Sequence, residues 1–271
     1  MYATNYLRPK SLAEAASMFA DAGDAAYVSG GHTLLPAMKG RLAAPANLID
    51  LRHLPELKGV SADAGRVTIG AGTSHAEVAA NPTVKAHLPV LAGLAGSIGD
   101  IHVRHMGTIG GSVANNDPAA DYPSALLALD AIVTTDRRDI PVADYLAGLY
   151  TTTLEEGEIV TKVSFAVPQS CGYAKFRNPA SRYAMAASFV ARFADGVRIG
   201  ITGCGDEGAF RWNEAEAALS ARFAEDAIDG LALDPGRMMG DIHGSSEYRA
   251  HLAKVMTRRA VTNQGMVLIQ P

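Results

Sequence analysis

"VSGGHTLLPAMKGRLAAPANLIDL", residues 28 to 51, decides the fold. A short apolar approach (Ala26 to Val28) runs into two glycines, a histidine and a threonine. An apolar, helix-like run from Leu34 to Lys39 follows, and then the strand-like "NLIDL" (Asn47 to Leu51). Strand, glycine loop, helix and strand make a compact βαβ-like unit ending near Pro55. Gly30 and Gly31 exclude side chains where the chain turns, so something must approach the backbone there closely. The loop offers glycine backbone, the Thr33 hydroxyl and the N–H groups of a helix start, and an anion such as a pyrophosphate fits that set. A tight strand-to-helix turn holding no ligand is the competing reading, since Gly-Gly is common in turns.

Outward from this unit, Ser11 and Glu14 in "SLAE" form a capping box, and Leu12, Ala15, Ala16 and Phe19 recur at helical spacing until Gly23. After Pro55 a second unit begins with the strand "RVTIGA" (Arg66 to Ala71), and Ser74 with Glu77 caps the helix "HAEVAA". Helical but glycine-broken sequence runs from Val84 to Gly99. The stretch from Asp100 to Asp121 has little periodicity and reads as a long functional loop. Strands "AIVTT" (Ala131 to Thr135) and "EIVTKVSFAVP" (Glu158 to Pro168) close the unit. The rest reads as strands "YAKFRN", "AMAASFVARF" and "VRIGITGC", a helix around Glu214 to Ala221 and a last helix from Ser246 toward Gly265, together an antiparallel α+β unit. The expected segments are therefore 1–56, 57–168 and 169–271.

The 271 residues are 48% apolar and 19% charged, an ordinary globular composition, and the net charge of −4 gives no general reason to expect nucleic acid or an anionic membrane as partner. Two distant cysteines, Cys171 and Cys204, cannot supply an iron–sulfur cluster or a four-cysteine zinc site. The N-terminus lacks a basic region followed by an apolar core, and no apolar run reaches the roughly 18 residues of a membrane span, so a cytoplasmic protein is expected.

A second glycine loop, "GTIGGSVANNDPAAD" (residues 107 to 121), sits inside the aperiodic stretch. It combines Gly107, Gly110 and Gly111 with the hydroxyls of Thr108 and Ser112, and two such loops can grip one extended dinucleotide from both sides. Asp117 or Asp121 can accept hydrogen bonds from ribose or ribityl hydroxyls, although Asp117 before Pro118 also suits a local turn.

These motifs, in this order, resemble the medium, FAD-binding subunit of the molybdenum hydroxylases, the family of carbon monoxide dehydrogenase and xanthine dehydrogenase. The likeness spans nearly the whole chain and is looser in the C-terminal third. It implies an α+β fold, two FAD-binding subdomains of the vanillyl-alcohol oxidase / p-cresol methylhydroxylase type plus a C-terminal antiparallel α+β domain. It implies an oxidoreductase subunit with FAD on this chain and no catalytic acid, base or nucleophile. Electrons would arrive from a small [2Fe–2S] subunit, fed by a large molybdopterin subunit where substrate is oxidised, and leave to an external acceptor. The assembly implied is a dimer of heterotrimers.

By motif, the resemblance places Tyr27, Val28, Ser29, Gly30, Gly31, His32, Thr33 and Leu34 on the FAD diphosphate. Thr108, Ile109, Gly110, Gly111 and Ser112 do likewise from the second loop. Asp121 falls where the family has a flavin-contacting acid, Ile98 and Ile159 where it packs apolar side chains on the cofactor, and Lys175 near a flavin-contacting lysine. The segment "RNPASRYAM" departs from the family's arginine pair and acid, with Tyr183 near the acid's place, so its contacts are left open.

"GCGDEG" (Gly203 to Gly208) has the formal G-x-G-x-x-G spacing, but its two acids would repel a pyrophosphate and no repeated βαβ pattern surrounds it; a turn is expected. His102 and His105 lack a carboxylate or cysteine to complete a metal set, and His53, His75 and His87 carry no local context. Two other functions compete. A self-contained oxidase would attach FAD covalently through His32, although only about a hundred residues after Pro168 remain for a substrate domain. A non-catalytic assembly module would have lost the flavin, which the intact glycines of both loops argue against.

Overall fold

The computed structural model describes residues 1–270. The first segment runs β1 (Asn5–Leu7), α1 (Leu12–Ala22), β2 (Ala25–Val28), α2 (Leu34–Lys39) and β3 (Asn47–Asp50). Its strands form a parallel sheet of order β1-β3-β2, so the expected βαβ unit is the β2–β3 pair joined by α2. β1 is an addition: three residues, too short to show a pattern, held by pairing Asn5 with Asn47. Ser11 does cap α1 by accepting from the Glu14 N–H, but the Glu14 carboxylate reaches the Lys10 N–H, so the reciprocal half of the expected box is shifted by one residue.

The second segment begins with β4 (Val60–Asp63), β5 (Arg66–Gly70), α3 (His75–Ala80), α4 (Pro82–His87) and α5 (Pro89–Ser97). The stretch expected as a long loop is instead mostly helical: α6 (Ile101–Met106), α7 (Ile109–Asn115) and then α8 (Tyr122–Ala128). Asp100 caps α6, Thr108 caps α7, and Asn116 ends α7 in the left-handed region at φ +42. All seven residues of α8 are buried, so no polar face marks it as a helix in sequence. β6 (Ile132–Thr135), β7 (Asp139–Pro141), α9 (Val142–Tyr145), the hairpin β8 (Leu146–Gly148) and β9 (Thr151–Thr152), and β10 (Val160–Ala166) complete the segment. Its main sheet is antiparallel, of order β4-β5-β10-β6-β7.

The third segment contains β11 (Ser170–Arg177), β12 (Ala184–Phe193), β13 (Gly196–Thr202), β14 (Phe210–Arg211), α10 (Asn213–Ala221), α11 (Ser246–Thr262) and β15 (Val267–Gln270). The sheet order is β14-β13-β12-β11-β15, and β15 runs parallel to β11, which makes the sheet mixed rather than wholly antiparallel as expected. β12 is buried on both faces, which is why it reads as a continuous apolar run. Ala187, Phe189 and Ala191 join the core shared with the second segment, while Ala186 and Val190 pack in the core beneath α10 and α11. α8 presses onto the first of these faces so closely that a Cβ on Gly200 would lie 2.0 Å from the Ser124 carbonyl oxygen. "GCGDEG" forms the expected turn, with Gly203 at φ +90, between antiparallel strands rather than in a βαβ crossover. Among the described residues, no helix is long and apolar enough to cross a membrane.

Candidate cofactor-binding site

A cleft of about 840 Å³ opens where the first loop, the start of α7 and residues 180–183 meet. The expected positions line it except Ile109, which is wholly buried, and Lys175, which stands behind the wall.

The loop after β2 enters the cleft at Ser29 and turns at Gly31, where φ is +70. Gly30 answers the question of close approach: a Cβ there would meet the Met106 carbonyl oxygen at 2.3 Å and the Gly107 Cα at 2.6 Å. The second loop itself is what presses on Gly30, and Ser29 Oγ lies 3.0 Å from Thr108 Oγ1 across the same seam. The N–H groups of Gly30, Gly31, His32 and Thr33 donate to no protein acceptor among the described residues. Backbone donors so placed call for a ligand or water to accept from them.

The second loop is built differently. The Ile109 N–H donates to the Thr73 carbonyl (3.0 Å), Gly110 to Ala71 (2.9 Å), Gly111 to Thr108 Oγ1 (3.2 Å) and Ser112 to the Thr108 carbonyl (3.0 Å). Gly110 is a packing glycine, because its Cβ would sit 2.4 Å from that of Ala71. At Gly111 a Cβ would touch only Thr108 Oγ1, at 3.0 Å, and would otherwise stand in the cleft.

The Asp121 carboxylate accepts from the Tyr173 hydroxyl and pairs with Lys175 Nζ at 2.8 Å; all three side chains are buried. Lys175 thus neutralises an acid that would otherwise repel an anion in the cleft. Asp117 makes the local turn, accepting from the Ala119 N–H at 2.9 Å, and burial raises its pKa. Ile98 and Ile159 give the cleft apolar wall.

Sequence reasoning passed over several wall residues. His75 is one: burial, reinforced by His32 and Arg104, lowers its pKa to about 4 and keeps it neutral. Glu158 is another, held at about 2 chiefly by its hydrogen bond from Arg138, against an opposing effect of burial. Arg182 and Tyr183, left open by the departure of "RNPASRYAM", both line the cleft; Arg182 takes φ +64 and reaches the Gly99 carbonyl at 3.4 Å. None carries a local signal, since each is brought to the cleft by residues distant in sequence. His105 does not pair with His102: its Nδ1 lies 2.8 Å from the Ile101 carbonyl oxygen.

Undonated N–H groups, an open glycine facing them, hydroxyls on both sides and apolar flanks fit an extended dinucleotide. Residues 2–169 match the family described as the FAD binding domain in molybdopterin dehydrogenase. The chain is 32% identical to the carbon monoxide dehydrogenase medium chain of Hydrogenophaga pseudoflava, over 94% of this chain and 95% of that one. It is likewise 32% identical to the nicotine 6-hydroxylase medium subunit of Paenarthrobacter nicotinovorans, over 97% and 98%. Its fold superposes on the reconstituted CO dehydrogenase from Oligotropha carboxidovorans with a TM-score of 0.88 at 32% identity, covering 97% of this chain and 98% of that chain. The chain belongs to the FAD-binding medium subunits of the molybdenum hydroxylase family, and is the flavin-binding component of an oxidoreductase.

Proposed function

We propose that this chain is the electron-transfer subunit of a molybdenum-containing hydroxylase or dehydrogenase. It takes electrons from a small [2Fe–2S] subunit and delivers them to an external acceptor, while a large molybdopterin subunit oxidises the substrate. The observation that carries the reading is the row of undonated N–H groups from Gly30 to Thr33 facing the open Gly111 across the cleft. Bound FAD supplies the redox chemistry, and the protein's contribution is placement and tuning.

In this reading residues 1–56 and 57–168 are the two FAD-binding subdomains and the chain from 169 onward is the C-terminal flavoprotein domain, each segment carrying its own main sheet. The first loop donates its N–H groups to the diphosphate. Gly111 leaves room for it, and Thr108 and Ser112 offer hydroxyls beside it. Asp121, fixed by Lys175 and Tyr173, accepts from sugar-chain hydroxyls with the lone pairs it has left. Ile98 and Ile159 exclude water from the ring system. The relatives' names, medium chain and medium subunit, support a complex with a larger and a smaller partner; we take it to be a dimer of heterotrimers.

The test is the visible absorption spectrum of the purified chain before and after acid precipitation. A flavin band released to the supernatant supports noncovalent FAD. A band retained in the pellet points to attachment at His32, which is exposed in the cleft, and to a self-contained oxidase. No band, even after incubation with FAD, leaves an assembly module.

A further inference from the structure

His75 is a cleft-wall group that the proposed function does not use. It opens α3 and is 5% exposed, on the cleft side. Its Nδ1 lies 3.3 Å from the hydroxyl of Tyr122, and the two rings are 5.4 Å apart. Tyr122 is wholly buried, and among the described residues its hydroxyl has no other protein hydrogen-bond partner. A buried hydroxyl proton left unpaired is costly, so Tyr122 donates to Nδ1. The imidazole therefore carries its own proton on Nε2.

Nε2 faces the seam between the loops. A Cβ on Gly107 would come within 2.7 Å of it, the His75 N–H donates to the Gly107 carbonyl at 3.0 Å, and Gly107 is the residue against which Gly30 abuts. Nε2 has no hydrogen-bond acceptor in the protein among the described residues. The charged and titratable neighbours of the ring are His32, Arg104 and Tyr122, and none of them is hydrogen-bonded to Nε2. A neutral, directed donor thus stands where the undonated N–H groups of the first loop begin.

We infer that His75 is a further binding residue of this cleft, its Nε2–H donating to a diphosphate oxygen of the bound dinucleotide. The inference rests on the flavin-binding reading, and the experiment separates the two. The full chain, stripped of flavin, is titrated with FAD and with ADP, which carries the diphosphate without the flavin. Wild type, His75→Leu, His75→Gln and Tyr122→Phe are compared, with thermal melting as the check of folding.

Loss of one directed hydrogen bond corresponds to roughly tenfold weaker binding of both ligands by His75→Leu. His75→Gln, whose amide N–H sits near the place of Nε2–H, should stay within about threefold of wild type, and Tyr122→Phe should lose a few-fold through the freed tautomer. A folded His75→Leu chain that binds both ligands as tightly as wild type overturns the inference, as does a folded His75→Gln chain weakened as much as the leucine variant. Should the leucine variant fail to fold, the glutamine and Tyr122→Phe variants decide. Wild type that binds neither ligand overturns the flavin-binding reading itself.

Discussion

The two glycine loops look alike in sequence and differ in what their backbones have left to give. At the start of α7 every N–H from Ile109 to Ser112 is already spent on the protein, while those from Gly30 to Thr33 are not. The glycines divide in the same way. Gly30 and Gly110 are small because other chain segments press on them, Met106 and Gly107 on the one and Ala71 on the other, whereas Gly111 is small beside open cleft. One loop is a set of donors and the other is a wall pinned to the turn after β5, at Ala71 and Thr73. A glycine-rich motif is thus not by itself a phosphate cradle; the fate of its N–H groups decides.

The largest expected effect falls at the open glycine. Gly111→Asp places a carboxylate in the cleft, yet an acid in the first turn of a helix suits α7, so the fold should survive while FAD uptake falls to nothing. Flavin content and melting temperature of the purified variant check this, and full flavin content would break the assignment of the second loop as cleft wall. Gly30→Ala tests the other kind of glycine. Its methyl would overlap the Met106 carbonyl oxygen, so stability should drop by about 1–3 kcal/mol, with flavin lost because the loops part. Thermal melting of the flavin-free chain reads this directly; an unchanged melting temperature would mean the loops are not pressed together.

The contrast between the loops could not be read from the chain. Local signals were legible where they are local: α2 over Leu34–Lys39, β12 over Ala184–Phe193, and the full capping box of Ser74 and Glu77. α7 was hidden by two glycines in its first turn and α8 by burial on every side, which erases helical periodicity. β15 was hidden by its shortness and by pairing parallel to a strand far back in the chain. In the site, Tyr27 and Val28 come only with the family resemblance, while the loop from Ser29 to Leu34 was legible because glycine leaves a mark. His75 was not, because what gives it meaning, Gly107 and Tyr122, arrives from other elements. Lys175, expected near the cofactor, is buried in an ion pair with Asp121, which itself lines the cleft.

A smaller effect is expected at the seam between the loops. Thr108→Ala removes the side-chain cap on the Gly111 N–H and the contact with Ser29, and should cost about 1 kcal/mol of stability. Because the proposed function sets this hydroxyl beside the diphosphate, flavin affinity should also fall a few-fold; an unchanged affinity would mean that Thr108 serves the cap alone.

The smallest effect is a dependence of stability on pH, and it separates the donor side of the cleft from its flank. His75 has a folded pKa of about 4 against an ordinary 6.5, so between those values the unfolded chain binds the extra proton and stability falls as pH drops from 6.5 toward 4. Glu158, near 2 when folded against 4.5, contributes stability that is present above 4.5 and lost as pH falls from there toward 2. Melting temperatures of the flavin-free chain across both windows should show the two slopes. His75→Gln should flatten the upper one alone, and Glu158→Gln should lessen the lower one alone, to which Asp50, also near 2 when folded, contributes the same way. If the upper slope persists in His75→Gln, another group titrates there, and the neutral imidazole is not what couples this part of the cleft to pH.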